Sequence, residues 1–202
     1  MNPPIQKTDS IGPVDETTDA QPQKSQAQID YEEGRGYVER GEAVLAAVSL
    51  HNALRGFEEE NNKEGMANAF NQLGHACLLR EEFDKAVIHY KKTWEICEEL
   101  GDDISLLSVA KQLAEAHRGA GEYRQALDLC LDLLDSYQRN NDPKNSVEVL
   151  EQMAEIYVDS GEKQRASDAY KTAASIHANF KHSNIAKSLR EKAAELLQGS
   201  ED

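Results

Sequence analysis

Residues 66–102, MANAFNQLGHACLLREEFDKAVIHYKKTWEICEELGD, decide the fold. Met66, Ala69, Phe70, Leu73 and Cys77 recur at steps of three and four. After Glu81-Glu82, the residues Phe83, Ala86, Val87, Tyr90, Trp94 and Cys97 resume that spacing. Such steps put each apolar set on one face of an α-helix, so the stretch predicts helix, turn, helix.

The same residue classes return every 40 residues to either side: Ala46, Ala86, Ala126 and Ala166 keep one phase without slippage. A second column, Gly34, Gly74, Ala114 and Ala154, is small throughout. Small side chains let two antiparallel helices approach to about 8–10 Å, so bulk at Gly74 or Ala86 should force the pair apart. Three columns are bulky or semi-apolar: Tyr37, Cys77, His117, Tyr157; Leu50, Tyr90, Cys130, Tyr170; and Phe57, Cys97, Tyr137, His177. Arg40-Gly41, Ala120-Gly121 and Ser160-Gly161 close the first helix of their units, while Gly101-Asp102-Asp103 and Asn140-Asn141-Asp142-Pro143 separate units. Asp142 before Pro143 predicts an N-cap followed by proline at the first helical position. A fixed period of this length signals stacked supersecondary units, none of which buries its apolar face alone.

The leucine with glycine or alanine in the first helix (Leu73-Gly74, Leu113-Ala114), the glycine at the inner turn, the alanine (Ala86, Ala126) and the tyrosine four residues later (Tyr90, Tyr170) resemble the tetratricopeptide repeat. The resemblance covers residues 23–182. It implies an all-α, right-handed α-solenoid of four helix-turn-helix repeats plus a C-terminal capping helix. The usual unit is about 34 residues. Where the family commonly has a proline ending the second helix, this chain has Glu58, Glu98, Gln138 and Ala178, so that helix is free to run on for about six residues. Long repeats ending in "ELGD", as Glu99 to Asp102 does, are similar to those of kinesin light chains and of Pins-type scaffolds. HEAT and armadillo arrays also have units of about 40 residues. Their helices usually carry a proline kink, whereas Pro3, Pro4, Pro13 and Pro22 all precede the first repeat.

Residues 1–26 are rich in Pro, Gln, Thr, Ser and Asp and predict a disordered tail, with Ile11 to Val14 a minor partner-binding stretch. Four repeats then occupy 27–182, and Ile185, Leu189, Ala193, Leu196 and Leu197 form the stripe of a capping helix over 183–198. No apolar run spans a bilayer and no signal peptide is evident, so membrane insertion is not expected. Cys77, Cys97 and Cys130 form no CxxC and predict buried thiols in a reducing, cytoplasmic setting. The six histidines make no HExxH, and no phosphate-binding glycine motif is present. The sequence therefore predicts no enzyme, no metal and no cofactor. A net charge of −15, from 37 acidic and 22 basic residues, opposes binding to nucleic acid.

In the resembled family the first helix of each unit lines a concave groove. Carried over residue by residue, the groove positions are Tyr31, Arg35 and Val38, then Asn68, Asn71, His75, Leu78 and Leu79, then Lys111, Glu115 and Arg118, then Glu148, Glu151, Glu155 and Asp159. Two features do not repeat. Leu78-Leu79, beside Tyr31 and Val38, predicts an apolar spot in repeat two, and the last four positions place four carboxylates on one helical face. Together they predict a noncatalytic adaptor for a peptide or protein with an apolar anchor near repeats one and two and basic residues toward repeat four. The family's clamp for a terminal carboxylate is mostly missing, since Tyr31, Arg35, Gln72, Ser108 and Gln112 stand at its positions. A small acidic chaperone holding a basic client and a self-assembling repeat protein are the alternatives. The oligomeric state is left open.

Overall fold

A computed structural model describes residues 24–198, and every regular element among them is an α-helix. The helices are α1 (Gln26–Glu39), α2 (Ala43–Glu59), α3 (Lys63–Leu78), α4 (Phe83–Leu100), α5 (Asp103–Gly119), α6 (Tyr123–Arg139), α7 (Pro143–Asp159), α8 (Lys163–Asn179) and α9 (Ser183–Gln198). Each packs on the next, the all-α stack of helix pairs that the period predicts. The segment around Ile11 and Val14 lies outside the described residues. Ser25 caps α1 by accepting from the Gln28 N–H (3.2 Å), so the helix starts one residue before the expected boundary.

The turns carry a shorter period than 40. A left-handed residue stands at every twentieth position: Gly41, Asn61, Glu81, Gly101, Gly121, Asn141, Gly161 and Lys181. The Gly41 N–H donates to the Val38 carbonyl and the Glu42 N–H to the Tyr37 carbonyl, both at 2.9 Å, and the other seven turns repeat this pair of bonds. This is the Schellman closure, which satisfies the last carbonyls of a helix. It also merges two of the bulky columns into one, because Tyr37, Phe57, Cys77, Cys97, His117, Tyr137, Tyr157 and His177 each supply the carbonyl of the long turn bond. Turns within and between units are thus the same structure.

What distinguishes the two helices of a unit is the N-terminus. Asn62, Asp102 and Asp142 accept from the N–H groups of Gly65 (2.9 Å), Ser105 (3.0 Å) and Asn145 (3.0 Å), capping first helices, with Pro143 at the start of α7 as expected. Second helices begin at Glu42, Glu82, Glu122 and Glu162, whose side chains make no cap bond. Glu58, Glu98, Gln138 and Ala178 are all helical, so the second helices run through the positions that lack proline. The added length is shared, however: α5 and α7 have 17 residues, as α2 and α6 do.

Inside each pair the small column faces the bulky one. A Cβ on Gly74 would lie 2.5 Å from Tyr90 Cε1, and one on Gly34 would lie 2.6 Å from Leu50 Cγ. Tyr90 and Leu50 are fully buried, so neither has room to retreat. Cys77, Cys97 and Cys130 are buried and unpaired, as predicted. His117 is buried too, bonded to the Glu122 carboxylate.

The end faces depart from the repeat. Leu73, Leu113 and Met153 are buried between units, but repeat one has Glu33 in that column, accepting from the Ser49 hydroxyl at 3.0 Å. At the other side α9 continues the phase as the first helix of a fifth unit, with Leu189 and Ala193 buried and Leu196 and Leu197 half-buried. Ile185 does not join them; it is 47% exposed. In the first turn of α9 it borders an open cleft instead.

Candidate functional site

Among the first helices α1 touches α3 and α5 touches α7, and no two second helices of the described residues meet as closely. First helices therefore form the inner wall of the stack. None of the groove residues assigned from the sequence is buried, but most are engaged within the chain.

The expected apolar spot is split. Successive helical residues point about 100° apart, so Leu78 turns into the cluster of Cys77, Val87, Tyr90 and Leu113, while Leu79 remains 50% exposed. Val38 and Tyr31 likewise lean on the core around Leu50, and the Tyr31 ring also meets Phe57 at 6.3 Å between centroids. Arg35 pairs with Glu39 at 3.5 Å. His75 Nδ1 lies 3.1 Å from the Tyr90 hydroxyl, and burial lowers its pKa, which keeps the ring neutral.

The four carboxylates of α7 do share a face, but much of their charge is met within the chain. Lys111 Nζ lies 2.8 Å from Glu148, and Arg118 lies 2.6 Å from Asp159, contacts Glu155 and stands 3.6 Å from Glu115. His177 Nε2 is 3.8 Å from Glu151. The Gln152 side chain adds a bond to the Lys111 carbonyl at 3.1 Å, fixing α7 against α5. The sequence carries a cue to this lattice: Lys111 precedes Glu148, and Arg118 precedes Glu155, by 37 residues, while Asp159 follows Arg118 by 41.

Among the described residues the inner wall opens into clefts at two corresponding places. The first, about 210 Å³, lies between α3 and α5 and is lined by Asn68, Asn71, Cys97, Leu100, Asp102, Ser105 and neighbours. The second, about 580 Å³, lies between α7 and α9 and is lined by Glu148, Glu151, His177, Phe180, His182, Ile185 and neighbours. Shifted by two periods, these two sets are the same positions, which makes the clefts equivalent places in the array. The alternate positions, α1–α3 and α5–α7, are in contact, and the column Phe57, Cys97, Tyr137, His177 explains why. Phe57 fills the space between α1 and α3 against Ala27 and Ala69. Tyr137 fills that between α5 and α7 against Ala110 and Val149. Cys97 is too short to do so, and His177 turns to His182 instead, with 3.2 Å between their Nδ1 atoms. Among the described residues the side chains of Asn68 and Asn71 make no hydrogen bond, so the first cleft presents two uncommitted amides.

A solenoid of helix pairs whose first helices line a cleft-bearing inner wall is the tetratricopeptide-like repeat architecture, and solved structures share it. Nearly identical TPR-like repeats of kinesin light chain type from Podosopora anserina superpose with a TM-score of 0.67 at 16% identity, over 88% of this chain and 94% of theirs. The apo form of RapI gives 0.71 at 11% identity, over 90% of this chain and 69% of that one. A signal transduction ATPase with a tetratricopeptide repeat sensor from Pyrococcus horikoshii gives 0.72 at 15%, over 88% of this chain and 30% of that one. At these identities the likeness establishes the fold. No family model matches the sequence, and no curated protein matches it significantly.

Proposed function

We propose that the protein is a noncatalytic interaction module that holds an extended peptide or protein segment along its inner wall. The observation that carries this reading is the first cleft, where Asn68 and Asn71 present donors and acceptors without internal partners while Leu79 stands exposed on the same helix. Carboxamides in that state suit a peptide backbone, which offers both an N–H and a carbonyl at each residue. The thiols argue against nucleophilic catalysis. Burial raises the pKa of Cys77 and Cys97 and pushes Cys130 up to about 12, the reverse of an activated nucleophile. Three unpaired buried thiols also suit a reducing compartment such as the cytoplasm. Among the described residues no helix is long and apolar enough to cross a membrane.

The test is capture from the native host with the intact chain and with Asn71→Ala and Leu79→Glu variants of unchanged helicity. The reading expects one protein to be retained by the intact chain and lost by at least one variant. Equal retention by all three contradicts it.

A further inference from the structure

The second cleft differs from the first in ways that name a different ligand group. Val147, Ile176, Phe180 and Ile185 give it an apolar floor, and Phe180 and Ile185 are 54% and 47% exposed although both line it. Glu148 and Glu151 stand on its rim where the first cleft has Asn68 and Asn71. From that rim the carboxylates continue along α7 through Glu155 to Asp159. Glu115, Glu148, Glu151, Glu155 and Asp159 meet Lys111 and Arg118, with His177 near Glu151 and Lys144 on the rim, so these carboxylates outnumber the lysines and arginine beside them by five to three.

We propose that this cleft receives a bulky apolar side chain of a peptide whose neighbouring lysine or arginine lies along α7. The inference rests on the interaction-module reading and moves the apolar anchor from repeat two to the α7–α9 cleft. Charge complementarity selects the occupant: an apolar small molecule would fill the floor but leave the carboxylate strip beside it unmatched. Glu151 to Asp159 covers about 12 Å of helix at 1.5 Å per residue, which an extended peptide crosses in about four residues. The basic residue therefore falls within about five positions of the anchor.

The probe is a random peptide library displayed on phage and selected on the immobilised full chain at low salt. Enriched peptides are expected to pair a Phe, Trp, Leu or Ile with a Lys or Arg within about five positions. Synthetic versions should lose about tenfold or more in affinity for Ile185→Glu and keep it for Leu131→Glu, an exposed position on α6 away from both clefts. No enrichment, enrichment without that pairing, or full affinity for Ile185→Glu overturns the proposal. Peptides that keep full affinity for Ile185→Glu but lose it for Asn71→Ala sink the second cleft while leaving the interaction module standing. Peptides indifferent to both variants sink the two together.

Discussion

The two clefts occupy the same place in the array, two periods apart, yet one is small and lined with amides and the other is large and floored with apolar side chains. Backbone geometry does not separate them, since the same Schellman turn and helices of 16 to 18 residues frame both. Side chains at a few columns do: Leu100 against Phe180, Asp102 against His182, Ser105 against Ile185, and Asn71 against Glu151. A repeat scaffold keeps its packing columns fixed and varies the positions that packing leaves free, so recognition is written in the exceptions to the period.

The largest expected effect comes from making a third cleft where none exists. Tyr137→Ala removes the ring that fills the space between α5 and α7 and should lower stability by about 3 to 5 kcal/mol, measured by urea unfolding. A loss under about 1 kcal/mol would mean that Lys111, Arg118 and Gln152, rather than the ring, hold those helices together. Next in size are the changes at single turns and caps. Glu81 holds a left-handed conformation (φ 55°) that its 40-residue partners Gly41, Gly121 and Gly161 adopt more readily. Glu81→Gly should therefore stabilise the chain by about 1 kcal/mol. His182 stands where Asp102 caps α5. His182→Asp should give α9 an aspartate cap like that of α5 and add about 1 kcal/mol, seen as slower amide exchange in its first turn.

The smallest effect is titrational. Hydrogen bonds from Ser105 hold the Asp102 carboxyl below the ordinary aspartate range. The folded value is depressed, so the cap contributes fully above about pH 4 and its contribution is lost as pH falls through the lowered value. Asp102→Asn should flatten that acid limb while leaving stability near pH 7 almost unchanged.

Much of the fold was legible because packing columns repeat: Ala86, Gly74 against Tyr90, and the apolar steps from Met66 to Cys97 each specify a buried contact that every unit must make. The twenty-residue turn period was harder to see. Asn61, Glu81, Asn141 and Lys181 share a conformation with the glycines that residue type alone does not announce. In the site, the α7 carboxylates were found because helical spacing reports them directly. Their partners Lys111 and Arg118 sit on another helix, where pairing depends on the stagger of adjacent units. The family register puts Leu78 in the groove with Leu79 because it does not resolve which of two neighbours turns inward. The clefts themselves depend on differences within the column of Phe57, Cys97, Tyr137 and His177, whose members look interchangeable until their lengths are set against the gap they fill.

That column is the central claim, and Cys97→Tyr tests it most directly. Tyr137 beside Val149 is the template, and Cys97 beside Val109 is its counterpart. A crystal structure of the variant should show the new ring seated between α3 and α5, the two helices in contact as α5 and α7 are, and the cleft at Asn68 and Asn71 gone. A ring turned out to solvent, with the cleft still open, would contradict the account.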